Sequence, residues 1–259
     1  MNKISRRQFV VASALAFSTS GISTAATQKA EVSTLRDVGR KFNADGTVKR
    51  FGGNTFIGHV RQQGDDFELF DTLLNIYREF PGYSFSSKIS LTPPSSYHIT
   101  VFGGLNDEDI RNARWPRQLS PELSVDAVTQ TWLRQLQGRS PIADHSFEFE
   151  LGTPSLKTDG APHIPLHPAD DATAKRLAAL RNDLSELTGI RDQDHDRYQH
   201  HLTFGYVHRL LTGVEAELLK AATGHWIEKL SNQARRLRIP AVQFCSFQDM
   251  YAFRVLHEL

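Results

Sequence analysis

The 259-residue chain holds one cysteine, two methionines and three tryptophans. A lone Cys245 cannot close an internal disulfide, so stability has to come from packing. Long hydrophobic runs are missing as well. The apolar-rich stretch from Phe9 to Phe17 is far short of the roughly 20 residues that cross a bilayer. No glycine-rich G-x-G-x-x-G turn, phosphate-cradling P-loop or H-E-x-x-H zinc signature is present. Charge of one sign is also lacking, with 30 Lys and Arg against 29 Asp and Glu. Residues 1–26 carry three of the cations and no acid, leaving 27 against 29, or −2, for the remainder. A protein that grips long nucleic acid usually has a basic balance, because phosphate neutralisation supplies most of its affinity. This composition favours a small anionic ligand held by a few local residues, with no long nucleic acid as partner.

What is present begins with a leader. Lys3, Arg6 and Arg7 precede the short apolar stretch, and small residues follow at Ala25 and Ala26. That order makes a secretory signal, and "SRRQFV" resembles the twin-arginine export signal. The expectation is a signal peptide over 1–26, a periplasmic protein without a membrane anchor, and one mature domain over 27–259.

The rest reads as alternating strands and helices. "NTFIGHV" (54–60) predicts a strand and "DDFELFDTLLNIYREF" (65–80) a helix opened by Asp65 and Asp66. "SSKISLTP" (86–93) and "SYHITVFG" (96–103) predict strands around a Pro-Pro break, "AVTQTWLRQLQ" (127–137) a helix, and "HSFEFELG" (145–152) a strand. The prolines of "PHIPLHP" (162–168) point to an edge strand. "DDATAKRLAALRNDLSELTG" (170–189) has an acidic start, a periodic apolar face and Gly189 as a stop. "HHLTFGYV" (200–207) predicts a strand, 213–231 a helix, and "IPAVQFCSF" with "MYAFRVLHEL" a closing hairpin. Strands and helices mix in both halves, which is an α+β arrangement.

Each half contains one strand with the pattern His-apolar-Thr: His98, Ile99, Thr100 and His201, Leu202, Thr203. Side chains two apart on a strand share a face, so each strand offers an imidazole and a hydroxyl together while its other face stays apolar. Chance supplies about 0.8 bare His-x-Thr triplets in a chain with 11 His. Requiring apolar residues around the Thr and a strand context lowers this to roughly a tenth per copy. Two copies, one per half, are a signal. Paired histidines can serve as base and acid near neutral pH, and the threonines can hydrogen-bond phosphoryl oxygens. That is the equipment for hydrolysing a phosphodiester, and it needs no metal or other cofactor.

The paired motif, with strand-helix halves around it, resembles the 2H phosphoesterase superfamily of cyclic phosphodiesterases and 2′–5′ RNA ligase-like proteins. "KFNADGTVKRFGGNT", "LTPPSSYHITVFGG" and "RWP" (114–116) resemble its DUF1868 branch. The resemblance, over about 40–257, implies a bilobal, pseudo-two-fold fold: two antiparallel sheets with outer helices around a central cleft. It also implies catalytic roles for His98 and His201 and phosphate-binding roles for Thr100 and Thr203. His200 stands where the pattern has an apolar residue, and alternation selects His201 as the partner of Thr203.

Other residues carry second readings. Arg197 and Tyr198 precede the second motif and suit phosphate contact or base stacking. His59 suits a cleft wall or a satisfied, partly buried histidine, and His163 and His167 have the same two readings. The cluster Asp192, Asp194, His195, Asp196, His200 and His201 reads as a metal site or as a solvated loop. Cys245 reads as a core thiol. The expectation is a monomeric, metal-independent phosphodiesterase for a 2′,3′-cyclic phosphate or a similar nucleotide or RNA-end phosphodiester. The rivals are a metal-dependent hydrolase built on 192–201 and a non-catalytic protein that binds nucleotides or phosphorylated ligands.

Overall fold

The computed structural model describes residues 35–64, 67–109, 114–116, 118–139, 146–153, 162–234 and 236–259. The leader over 1–26, the helix start at Asp65 and Asp66, and His145 lie outside the described residues.

The first half runs β1 (Gly53–His59), α1 (Phe67–Glu79), β2 (Ile89–Leu91), β3 (His98–Asn106) and α2 (Val125–Gln137), then β4 (Phe147–Leu151). The second runs β5 (His163–Pro168), α3 (Asp171–Thr188), β6 (His200–Thr203), β7 (Gly205–Val207) and α4 (Gly213–Gln233), then β8 (Arg236–Ile239), β9 (Gln243–Phe247) and β10 (Phe253–Glu258). The strands form an eight-stranded sheet, β10-β9-β1-β3-β6-β5-β4-β8, with β2 and β7 in a separate pair. Every strand pairing is antiparallel.

The long sheet divides at its middle. Four strands on each side make a lobe, and the lobes join where β3 meets β6 through the pair Ile99 and Leu202. A pseudo-two-fold between β3 and β6 relates β1-α1-β3-α2 to β5-α3-β6-α4. The strand after α2 crosses to pair with β5, and β9, downstream of α4, returns to pair with β1. The two sheets expected from the resemblance are the two halves of this one sheet.

Local chemistry sets the elements. Helix α3 starts where the Asp170 side chain accepts from the Thr173 amide at 2.7 Å and stops at Gly189, whose φ of 72° is the left-handed conformation glycine tolerates. The capping box of Thr212 and Glu215 opens α4. Trp132 on α2 and Trp226 on α4 are buried in the main core together with Ile99, Val101 and Leu202 from the motif strands.

The structure corrects two expectations. "PHIPLHP" is not at an edge: β5 lies between β4 and β6. The Pro165 carbonyl accepts from the Gly152 amide at 2.7 Å, so the donor-less Pro165 nitrogen faces the same side, just past the last residue of β4. The return bond that a proline cannot donate would go to the Gly152 carbonyl, beyond the end of β4, so the β4–β5 ladder from Phe149 to Leu151 stays intact. In the C-terminal run, Ile239 is not part of the closing hairpin. It ends β8, which pairs with β4.

Candidate active site

On β3, Ile99 and Val101 are fully buried while His98 and Thr100 are half-buried on the opposite face. On β6, Leu202 is fully buried and His201 and Thr203 are half-buried. The Ile99–Leu202 pair fixes the antiparallel register. Carried one residue either way, it sets His98 opposite Thr203 and Thr100 opposite His201. All four side chains line one cleft of about 210 Å³.

Both imidazoles are tethered the same way. His98 Nδ1 lies 2.6 Å from the Ser96 carbonyl and His201 Nδ1 lies 3.1 Å from the Gln199 carbonyl, each two residues upstream. A carbonyl only accepts, so in each ring Nδ1 carries the proton and donates it. The neutral ring then has a bare Nε2 lone pair, the atom that can take a proton from water. Burial is the main force lowering the His98 pKa to about 4; the Ser96 carbonyl opposes it, and His59, His201 and Lys41 add repulsion. His201 is lowered by burial too, against the Gln199 carbonyl, with further lowering from His163 and Lys41. Burial therefore favours two neutral imidazoles. A bound phosphate anion reverses that bias, because it stabilises an imidazolium beside it.

Most other polar groups of the cleft are engaged internally. Asn54 donates to Thr129 and accepts from the Leu105 amide. Asn106 donates to Asp109 and accepts from the Glu108 amide. Ser96 and Thr92 donate to the Pro93 and Phe204 carbonyls. Beside these lies an apolar wall from Phe51, Tyr206, Phe247, Met250 and Phe253, with the Phe253 ring 4.2 Å from the His98 ring.

The remaining predicted residues fall elsewhere. His59 sits beside His98 across the β1–β3 pairing, with Nδ1 2.7 Å from the Gln243 side-chain oxygen, and does not line the cleft. His163 is opposite Thr203, its ring 5.3 Å from His201. Arg197 is exposed and lies outside the cleft lining. Tyr198 lies over the Arg181 guanidinium at 4.3 Å and lines a second cavity of about 250 Å³ with His200, His195 and His167. Burial pushes its phenol up to about 12. His200 is buried on the face away from His201, its Nδ1 3.1 Å from the Thr100 carbonyl.

The cluster considered for a metal is dispersed. Asp192 pairs with Arg114, Asp196 pairs with Arg191, and His195 Nε2 meets Asn182. Among the described residues no group of three or more His, Cys, Asp or Glu side chains is arranged to hold a metal ion. Cys245 is fully buried, and burial raises its thiol to about 12.

The residues that sequence reasoning missed are Lys41, Phe51, Tyr206, Phe247, Met250 and Phe253. They come from a loop and three different strand regions, and no spacing in the chain links them.

The comparisons with known proteins bear on the family and the fold. A family model described as 2H-phosphodiest, "Domain of unknown function (DUF1868)", matches residues 41–155. The DUF1868 segment includes His98 and Thr100 and ends before His201 and Thr203. The name of the matched domain suggests a 2H phosphodiesterase-type superfamily for this segment. A crystal structure of a conserved protein of unknown function from Agrobacterium tumefaciens has the same fold, with a TM-score of 0.75 and 24% identity over 86% of this chain and 93% of that one. No curated protein matches the sequence.

Proposed function

We propose that the cleft hydrolyses a 2′,3′-cyclic phosphate, or a similar nucleotide or RNA-end phosphodiester, without a metal ion. The observation that carries this reading is the pair of tethered imidazoles with bare Nε2 atoms in one cleft, each beside a threonine hydroxyl. Thr100 and Thr203 hydrogen-bond the non-bridging phosphoryl oxygens and hold the phosphorus between the imidazoles. One Nε2 takes a proton from water as its oxygen attacks phosphorus. The other imidazole, protonated when the anionic substrate binds, gives its proton to the leaving oxygen as the P–O bond breaks. The product is a phosphate monoester. The aromatic wall beside His98 takes the apolar face of a base.

Hydrolysis of the four nucleoside 2′,3′-cyclic monophosphates in the presence of EDTA tests this. Wild type is expected to turn over, and His98→Ala and His201→Ala are each expected to lose about 10²- to 10⁴-fold in kcat. Binding of these nucleotides without turnover would replace the enzyme with a binding protein. Activity lost to EDTA and restored by a divalent ion would overturn the metal-free scheme.

We also propose that residues 1–26 direct export to the periplasm, supported by Arg6 and Arg7 ahead of the apolar stretch. Cell fractionation tests it, and a protein found wholly in the cytoplasm would rule it out.

A further inference from the structure

The proposed reaction leaves an electrostatic gap. A cyclic phosphodiester is a monoanion, and attack by water places more negative charge on its non-bridging oxygens. The two threonine hydroxyls are neutral donors, and burial and mutual repulsion keep the resting imidazoles neutral. A buried anion without a cationic partner is costly, and charge that develops during reaction is best met by a preplaced positive group.

One cation is in place. Lys41 is the single Lys or Arg among the described residues that line the cleft. Its Nζ lies 4.7 Å from the Tyr206 ring centre and 5.7 Å from that of Phe51, so its head reaches the aromatic wall of the same cleft. The segment that delivers it precedes β1 and lies outside the repeated strand-helix units. Phe42, the next residue, is fully buried and packs 4.9 Å from the Tyr206 ring. The amides of Lys41 and Phe42 both bond the Asp37 carbonyl. The Asp37 carboxylate lies 3.3 Å from Nζ, one turn back. That contact engages one side of an ammonium that has three donors. The position of this head is thus fixed from behind by a buried anchor, a carboxylate and two rings.

We propose that Lys41 is a catalytic residue: its ammonium binds the non-bridging phosphoryl oxygens and neutralises the charge that grows on them as water attacks. This rests on the phosphodiesterase reading above. No bond to Lys41 forms or breaks; the residue supplies only hydrogen bonds and charge. Its field reaches both motif histidines, since it lowers the basicity of His98 and of His201 alike. Lys41, His98 and His201 line the same cleft, with Thr100 and Thr203 as further donors.

The test compares Lys41→Met and Lys41→Arg with wild type for kcat/KM on a nucleoside 2′,3′-cyclic monophosphate between pH 4 and 8. Lys41→Met is expected to lose about 10²- to 10³-fold, the usual cost of one charge-stabilising donor, and Lys41→Arg to recover to within about tenfold. The acid limb of the profile should move to higher pH in Lys41→Met, because a neutral side chain no longer repels the imidazole proton, and should stay in place in Lys41→Arg. Activity within threefold of wild type in Lys41→Met overturns the proposal. So does a loss that comes with an unmoved acid limb and a lowered unfolding midpoint, since that is what a packing role would give. If wild type turns over no cyclic nucleotide, the reaction assigned above fails, and calorimetry with inorganic phosphate decides the role of Lys41. Binding abolished in Lys41→Met keeps Lys41 as the anion contact, and equal binding in both proteins removes it.

Discussion

At the scale of single residues, the two motifs differ from ordinary strand histidines through their tethers. Each Nδ1 is committed to a carbonyl two positions upstream, which leaves Nε2 as the ring atom with the free lone pair. Burial then holds His98 near a pKa of about 4 and lowers His201 as well. The base must be neutral and the acid protonated, and both groups titrate below the ordinary value of about 6.5 in the free enzyme. The profile of kcat/KM is therefore expected to have its maximum on the acid side of pH 6.5 and to fall as pH rises through the pKa of the proton donor. In the profile of kcat, which reports the substrate complex, the falling limb should lie at higher pH, because the bound anion raises that pKa. Measuring both with one cyclic nucleotide checks this. A kcat/KM maximum above pH 7 would mean that burial does not control these imidazoles. His200 is lowered to about 4 as well, mainly by burial and despite its bond to the Thr100 carbonyl. A depressed histidine stabilises the fold above its unfolded pKa and loses that contribution as pH falls. The depression of His200 amounts to about 3 kcal/mol at most, surrendered between about pH 6.5 and 4. Equilibrium unfolding across that window should weaken steadily, and His200→Gln should flatten the dependence.

At the scale of elements, helix ends and strand alternation were readable in the chain. Asp170 and Gly189 bound α3 where their chemistry requires, and Gly189 shows how strict the requirement is. A Cβ there would sit in the left-handed region and fall on the Gln118 side chain. Gly189→Ala is expected to cost about 1–2 kcal/mol, read as a lowered urea midpoint, with Gln118 free to swing away. No shift in midpoint would mean that the last turn of α3 unwinds cheaply. Alternation likewise separated His201 from His200. The first shares the face of Thr203, and the second is buried on the other side. Strand position was not readable in the same way. Pro165 suggested an edge because a proline lacks a donor, yet whether that donor is missed depends on where the neighbouring strand ends. Strand β4 stops at Leu151, a fact of pairing that no local pattern in "PHIPLHP" contains.

At the scale of the whole molecule, the cleft exists because two lobes are joined along a narrow line. The β3–β6 contact is reinforced by the β2–β7 pair and by buried side-chain bonds. Arg181 on α3 donates to the Val101 carbonyl of β3 at 2.5 Å and to the His195 carbonyl at 3.0 Å, while its face rests on Tyr198. His200 bonds the Thr100 carbonyl from β6. Arg181→Met would leave two buried carbonyls without their donors and is expected to cost about 3 kcal/mol of folding stability. A loss below about 1 kcal/mol in a urea titration would show that strand pairing alone holds the lobes together.

The sequence by itself determined what depends on neighbours along the chain: which side chains share a strand face, where helices start and stop, and that His and Thr would be presented together twice. These follow from the two-residue period of strands and from capping chemistry, both of which act over a few residues. It also held the resemblance that the match over residues 41–155 bears out. Only the tertiary structure decided which strands lie side by side, which group of the 192–201 cluster meets which partner, and which cation enters the cleft. Lys41 is separated from His98 by 57 positions and from His201 by 160, and nothing in "KFNADGTV" signals a destination. Its place is set by Phe42 burying itself against Tyr206, a contact between distant segments whose reward is apolar area removed from water and whose direction no local pattern encodes.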